Sequence, residues 1–524
     1  MEPILVNGSW EASDDTGEVI RSDNPHSGEW LPYEYPVSSW DELQLMLDAA
    51  TVAVDELRLL PSAKLADFLS AYADEIEAAE AALVEVAGQE TGLPTSTRLP
   101  GELKRTTGQL RQAAAAARDR SWAMATIDTA SNIRSMYEPL GGPVVVFGPN
   151  NFPLAFNGVS GGDFAAAIAA GNPVIAKANP GHPRTTQLLA AAALRAIEKT
   201  GVPRGLVQMF YHTPHENGLR LVSHPSIGAT AFTGSKAGLH LKRAADEAGK
   251  PIYLEMSSVN PVFILPGALV ERLEDVATDL FASCTLGTGQ FCTNPGLVFL
   301  MAGENTDAFI ASVSEKFKAK EPDVMLTSRG PDQLERGLGA WQKAGANLIV
   351  GGEPVRDDRF RFHNTLMKAT GEQFLANPEA MQTEAFGVAS LLVIVENVAQ
   401  FAEVTQALAG NLTGTIYSHT DGSDDKTYDL IAPLLRDKVG RLLNDKMPTG
   451  VAVVPSMMHG GPFPSTGHPG FTAVGIPASL VRFAKLTSYD NVRPSRLPAA
   501  LKDTAPHDDM WRLVDGAWQQ GDIQ

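Results

Sequence analysis

Pro143-Val-Val-Val-Phe-Gly-Pro-Asn-Asn-Phe-Pro153 decides how the chain is to be read. A short apolar run, rich in β-branched valine, ends abruptly at Gly148 and Pro149. It is too short for a helix and shows no polar alternation, so it reads as a strand buried on both faces. The same texture repeats downstream. A small-residue helix is expected over about 158–170, a strand at Pro173-Val-Ile-Ala-Lys177, a helix over 185–199 and a strand at Leu206-Val-Gln-Met-Phe210. A short helix at 216–222, a strand at Ile227-Gly-Ala-Thr-Ala-Phe232, a helix over 236–248 and a strand opening at Ile252-Tyr-Leu-Glu255 follow. Strands and helices alternating at this pace imply right-handed crossovers and a parallel sheet. Ligands of such sheets bind at the carboxyl ends of the strands. The residues to weigh are therefore Asn150, Asn151, Lys177 and Thr233-Gly-Ser235.

Before this region, residues 40–120 read as helical, dominated by Ala, Leu and Glu. After it, a second alternating region spans about 262–445, with apolar runs at Leu297–Leu300, Ala346–Gly352, Leu391–Val395 and Gly414–Tyr417. A chain of 524 residues exceeds one hydrophobic core and implies two or three domains. The stretch from Pro494 is polar and rich in Asp and Pro, and is expected as a loosely held tail. The net charge of −19 argues against a nucleic-acid partner. The two cysteines, eight positions apart, cannot form a disulfide framework. The N-terminus lacks a basic segment followed by an apolar run, and no apolar run reaches membrane-spanning length. A cytoplasmic protein that uses no membrane is the expectation.

Cys292 is the first candidate for chemistry. It sits in Gly289-Gln-Phe-Cys-Thr-Asn-Pro-Gly296, where the chain turns, and a thiolate attacks carbonyl carbon readily. Cys284 lacks this setting and reads as a small buried hydrophobe. Glu255 ends an apolar run, and a partly desolvated carboxylate suits a general base; a solvated or capping glutamate is the plainer alternative. Asn151 follows a strand, and its uncharged amide can hold an oxyanion, although Pro-Asn is also a turn signal. Gly234 and Ser235 lead from a strand into a helix, a place that favours an anion. They do not form a Gly-x-Gly-x-x-Gly fingerprint.

In order, these landmarks resemble the aldehyde dehydrogenase superfamily from about Asn24 to Lys485. Glu384-Ala-Phe386-Gly and Asn411-Leu-Thr-Gly-Thr complete the series. The resemblance implies an α/β, aldehyde dehydrogenase-like fold: a Rossmann-type nucleotide-binding domain, an α/β catalytic domain and a small β oligomerisation element. The nucleotide-binding domain would take 1–121 and 139–254, and the catalytic domain 255–445. The oligomerisation element would take 122–138 and 478–486, with a tail at 494–524, in a homodimer or homotetramer. The implied reaction is NAD(P)-dependent oxidation of an aldehyde to a carboxylic acid. Cys292 would attack, Asn151 and the Cys292 N–H would hold the oxyanion, and Glu255 would activate water against the thioester. Lys177 and Glu384 would bind cofactor ribose hydroxyls, Phe386 would pack near the nicotinamide ribose, and Gly234 and Ser235 would meet the pyrophosphate. Phe291 and Thr293, flanking the sulfur, and Phe156 and Val159 would shape the aldehyde pocket. No metal is implied.

Two departures refine this. Many NAD-using relatives carry a glutamate three positions after the ribose-binding lysine, where this chain has Pro180. Nothing at that position repels a 2′-phosphate, so NADP is expected to be accepted or preferred, with His182 or Arg184 as further cations. The second departure is His459, expected near Cys292 or the cofactor. It is similar to the branch holding α-ketoglutaric semialdehyde (2,5-dioxovalerate) dehydrogenases and an NADP-linked fatty aldehyde enzyme. The expected substrate is therefore 2,5-dioxopentanoate. A carboxylate substrate wants an Arg or Lys anchor, and the segment after Asn151 carries none, which leaves aliphatic aldehydes as the rival. A thiol hydrolase acting on esters explains Cys292, Asn151 and Glu255, but gives Lys177, Ser235 and Glu384 no task.

Overall fold

The computed structural model describes residues 1–13 and 17–523. Asp14–Thr16 of the expected first domain and Gln524 of the expected tail lie outside them. The first sheet has seven strands in the order Ile252–Glu255, Ala229–Thr233, Val144–Phe147, Val174–Lys177, Val207–Phe210, Ile4–Val6 and Ser9–Glu11. The first five are parallel neighbours, as the alternating pattern predicts. The last two form an antiparallel N-terminal hairpin on the edge. Val144, Val145 and Val146 are fully buried, the packing that an unalternated β-branched run demands. From Val144–Phe147 the chain builds outward to Val207–Phe210. It then returns to lay Ala229–Thr233 on the other side. Strand order therefore reverses beside Phe147, which opens a crevice at the carboxyl ends.

Four helices, Trp40–Leu57, Ser62–Ala78, Glu80–Thr91 and Arg98–Asp119, fill the region read as helical. The expected helix over 158–170 is shorter: it begins at Gly162 and ends at Ala169, and residues 151–161 run as turns. Those turns are fastened by Glu102, whose Oε1 accepts the N–H groups of Leu154 and Ala155, both at 2.9 Å.

The second sheet runs Asn347–Val350, Thr365–Thr370, Ala389–Val395, Leu297–Met301, Val262–Ile264, Asn411–Tyr417 and Val439–Asn444. All its neighbours pair parallel except the edge strand Asn347–Val350, which is antiparallel. Glu255 is the last residue of the first sheet and Cys292 precedes Leu297–Met301 of the second, so the crevice lies where the two sheets meet.

A third sheet joins Ala484–Asp490, Ile133–Pro139, Thr126–Asp128, Arg512–Val514 and Ala517–Gln519. In the part expected at 478–486 the strand starts only at Ala484, because Ala478–Val481 is a short helix. The stretch from Pro494, expected as a loose tail, instead adds strands to this sheet. Its polar composition conceals Leu497, Leu501, Met510 and Val514, all buried. No helix among the described residues is long and apolar enough to cross a membrane.

Candidate active site

A cleft of about 690 Å³ lies at the carboxyl ends of the first sheet. Asn151, Lys177, Gly234, Ser235, Glu255, Cys292, Glu384 and Phe386 all line it. The structure thus gathers eight of the expected site residues, drawn from both large sheets, around one space.

Cys292 is presented by an unusual turn. Gly287, Thr288 and Gly289 have φ of +55°, +57° and +68°, in the left-handed region where a Cβ is disfavoured. A Cβ on Gly289 would stand 2.2 Å from the Gly387 carbonyl oxygen. The Cys292 carbonyl accepts from Asn260 Nδ2 at 2.8 Å. Asn260 is held in turn by Asn411, whose Oδ1 accepts the N–H groups of Val259 at 2.9 Å and Asn260 at 3.2 Å. Asn151 Nδ2 donates to the Gln290 carbonyl at 2.9 Å, which brings its amide beside the turn. Cys284 is buried in the core with its sulfur 3.1 Å from Ser390 Oγ, and burial pushes its thiol up to about 12.

His459 Nε2 lies 3.4 Å from Cys292 Sγ and 3.2 Å from Glu255 Oε1. The three ligand atoms lie within 4.8 Å of one another. His459 and Glu255 are each 2% exposed. The histidine therefore sits against the thiol, and it does not line the cleft as a cofactor contact would. Burial, followed by the negative charge of Glu255, drives the Cys292 thiol well above its ordinary value. Glu255 Oε2 is buried with no hydrogen-bond partner among the described residues, so one carboxylate oxygen is left for a ligand or water.

The cleft is also lined by Lys177 and His212 and, nearer the reacting groups, by Glu384, whose Oε1 accepts the Ser258 N–H. Burial lowers the Lys177 ammonium to about 8 and raises the Glu384 carboxyl to about 7. Burial and Lys177 together lower His212 to about 4. The cations expected to assist a 2′-phosphate are occupied elsewhere. His182 is 1% exposed with Nε2 2.8 Å from the Pro149 carbonyl, and Arg184 pairs with Glu2 at 3.0 Å. Pro180 is exposed and lies outside the lining of the cleft.

The expected pocket residues divide. Phe156 and Phe291 both pack on Phe152, with ring centroids 5.1 and 5.2 Å away, and Phe156 also lies 6.2 Å from the His459 ring. Val159 instead is fully buried in the first core, its carbonyl accepting Tyr72 Oη at 2.9 Å. Thr293 is also fully buried, with Oγ1 accepting the Gly450 N–H at 3.3 Å. The turns after Asn151 rotate Val159 away from where a continuous helix would place it, and Thr293 is held by its bond to Gly450.

The helix Arg98–Asp119 contributes what sequence reading missed. Arg98, Glu102, Arg105 and Gln109 follow i, i+4, i+7, i+11 spacing and share one face. Arg98 Nη2 donates to the Asn151 carbonyl at 3.2 Å and its Nη1 pairs with Glu102. Gln109 Nε2 donates to the Ala155 carbonyl at 3.1 Å. The Arg105 guanidinium stacks 5.0 Å from the Phe156 ring and 5.4 Å from the Phe152 ring. A polar stripe in the register of a core-facing helix is a readable signal.

Comparison with known proteins agrees with this geometry. The profile of the "Aldehyde dehydrogenase family" matches residues 10–429. The chain belongs to the aldehyde dehydrogenase family. As a member it is an NAD(P)-dependent oxidoreductase of aldehydes. It is 40% identical over 511 residues, 95% of its length and 96% of the other's, to alpha-ketoglutaric semialdehyde dehydrogenase 2 of Azospirillum brasilense. It is 37% identical over 529 residues, 98% of each, to alpha-ketoglutaric semialdehyde dehydrogenase of Acinetobacter baylyi. Among solved structures, 3,6-anhydro-L-galactose dehydrogenase in complex with NAP superposes with a TM-score of 0.80 at 21% identity. That match covers 93% of this chain and 99% of the other, and it reflects a shared fold.

Proposed function

We propose that this aldehyde dehydrogenase oxidises 2,5-dioxopentanoate to 2-oxoglutarate, using NADP or NAD. Two observations support the substrate: near-full-length identity of 37–40% to relatives named for that semialdehyde, and an edge of Arg105 that is buried without a hydrogen-bond partner among the described residues. The catalytic roles rest chiefly on one observation, the contact of Cys292 with His459 beside Glu255, with the Asn151 amide bonded to the same turn as Cys292.

The cleft suits a dinucleotide. Lys177 and Glu384 offer a buried cation and carboxyl to ribose hydroxyls, and the buried His212 Nδ1 lacks a protein partner among the described residues. Gly234 and Ser235 stand where the pyrophosphate would meet the helix Gly238–Glu247, and Phe386 walls the nicotinamide end. When bound, the nicotinamide accepts hydride from the substrate carbon.

The protein's part follows from its own groups. Cys292 loses its proton to a neighbour, either His459 Nε2 or Glu255, and the thiolate attacks the aldehyde carbon. The Asn151 amide and the Cys292 N–H stabilise the oxyanion. After the redox step the acyl group remains on Cys292 as a thioester. Glu255, with an oxygen free, takes a proton from the water that attacks the thioester; the C–S bond breaks and that proton passes to the departing Cys292 sulfur, which frees the carboxylic acid and the thiol.

Lys177 is the one lysine or arginine among the described residues lining the cleft, and position 180 is proline, so a 2′-phosphate meets no carboxylate there. Acceptance of NADP follows from that. The expected domain limits, cytoplasmic action, and a homodimer or homotetramer assembled through the exposed edge strand Ala484–Asp490 belong to the same reading.

Nicotinamide absorbance with 2,5-dioxopentanoate and each cofactor tests it. Turnover of the oxo acid with NADP, abolished in Cys292→Ala, is expected. A strong preference for NAD overturns the cofactor reading. Faster turnover of decanal than of the oxo acid overturns the substrate reading. Ester cleavage by Cys292 without any nicotinamide reduction overturns the oxidoreductase assignment of these residues.

A further inference from the structure

We propose that Arg105, on the helix Arg98–Asp119, anchors the substrate's carboxylate through its Nε–Nη2 edge and thereby selects ω-carboxylate aldehydes over uncharged ones; the inference rests on the substrate reading above. Both nitrogens of that edge are buried without a hydrogen-bond partner among the described residues. They are adjacent on the guanidinium and together form the two-pronged face that matches the two oxygens of a carboxylate. Stacking on Phe152 and Phe156 satisfies the cation's flat faces but none of these N–H groups. A buried donor left in this state is costly, which makes the edge a place for a ligand.

Glu102, the carboxylate that acts most strongly on Arg105, is spent. Glu102 acts on it electrostatically, but its Oε1 accepts the Leu154 and Ala155 N–H groups and its Oε2 pairs with Arg98. The other arginine felt by Cys292, Arg441, donates to the Pro448 carbonyl at 2.8 Å and to the Gly450 carbonyl at 3.2 Å. Arg105 is therefore the cation near the sulfur with an open bidentate edge.

A chain of contacts leads from it to the sulfur. Arg105 stacks on Phe156, Phe156 faces the His459 ring, and His459 touches Cys292. Cys292 and Glu255 both act on the guanidinium charge, which places it within electrostatic reach of the reacting atoms. In extended 2,5-dioxopentanoate the carboxylate carbon lies about 5 Å from the aldehyde carbon, four C–C bonds away. Phe152 and Phe156, on which the guanidinium stacks, are both buried apolar rings. None of Arg105, Phe152 and Phe156 lines the cofactor cleft, so this edge faces a different ligand.

The test compares kcat/KM for 2,5-dioxopentanoate and pentanal, and for 4-oxobutanoate and butanal, in wild type, Arg105→Gln and Arg105→Lys. Arg105→Gln should lower kcat/KM for the two carboxylates by about 10- to 100-fold, chiefly through KM, the effect of losing a charged hydrogen-bond pair. The uncharged aldehydes should change less than about threefold by the same reasoning, since they never engage the edge. Arg105→Lys should fall between, keeping the charge without the fork. A carboxylate preference that survives in Arg105→Gln overturns the role of Arg105. Parallel loss on charged and uncharged aldehydes in both variants also overturns it. A wild type that favours pentanal over 2,5-dioxopentanoate removes the substrate reading alone, and the 4-oxobutanoate pair still decides Arg105.

Discussion

Gly289→Ala probes whether the left-handed turn before Cys292 sets the position of the sulfur. At φ +68° an alanine costs about 1 kcal/mol relative to glycine. Steric overlap costs more: the new Cβ would stand 2.2 Å from the Gly387 oxygen, 2.3 Å from its carbon and 2.5 Å from the Val388 nitrogen. All three are backbone atoms, so no side chain can swing aside. Restoring an ordinary C···O contact needs a displacement of about 1 Å. Overpacking of this kind costs about 1–3 kcal/mol, for a sum of about 2–4 kcal/mol. For a domain of about 150–250 residues that lowers Tm by about 4–16 °C. If half the shift or more falls on the turn, Cys292 moves relative to Asn151 and Glu255, and kcat/KM drops by about 100-fold. Thermal unfolding and steady-state rates with a good aldehyde read both effects. A variant with wild-type Tm and wild-type kcat/KM would refute the claim that this turn is constrained.

Asn151→Ala should reduce kcat by about 100- to 1000-fold with little change in KM, as for loss of one oxyanion donor; an effect confined to KM would speak against that role. Iodoacetamide alkylation of Cys292 in the free protein should be slow at neutral pH and rise steeply with alkalinity, because burial and the Glu255 charge hold the thiol protonated. Glu255→Gln removes that charge, lowers the thiol's pKa and should move the profile toward lower pH; an unmoved or upward-shifted profile contradicts the arrangement. The same variant should release one equivalent of reduced nicotinamide per site and then stall, since the thioester loses its base; continued turnover at the wild-type rate would exclude Glu255 as that base. Cys284→Ser should leave turnover unchanged, because Cys284 is packed in the core against Ser390, away from the cleft.

The parallel first sheet was legible because its signal is local. Val144-Val-Val-Phe147 and its successors are unalternated apolar runs closed by turn residues, and short-range pattern suffices for such strands. Residues at the ends of those strands were legible for the same reason, since topology alone carries Asn151, Lys177 and Ser235 to one edge. The C-terminal strands were hidden because two three-residue strands in polar surroundings leave no periodicity to read. Val159 was misplaced because the backbone after Asn151 runs in turns held by Glu102, a contact from 52 residues away in sequence, and Thr293 because it packs against Gly450, 157 residues away.

Read alone, the chain supplies the chemical parts: a nucleophile on a glycine-rich turn, a carboxylate and an amide at strand ends, and a strand–helix alternation that brings strand ends together. How those parts meet is a property of the folded molecule. Folding placed His459 against both Cys292 and Glu255, turned His182 and Arg184 toward other partners, and left Arg105 Nε and Nη2 buried without a hydrogen-bond partner among the described residues. The physical reason is that propensity and pattern act within a few residues. Burial, hydrogen-bond satisfaction and charge pairing depend on neighbours that folding alone supplies.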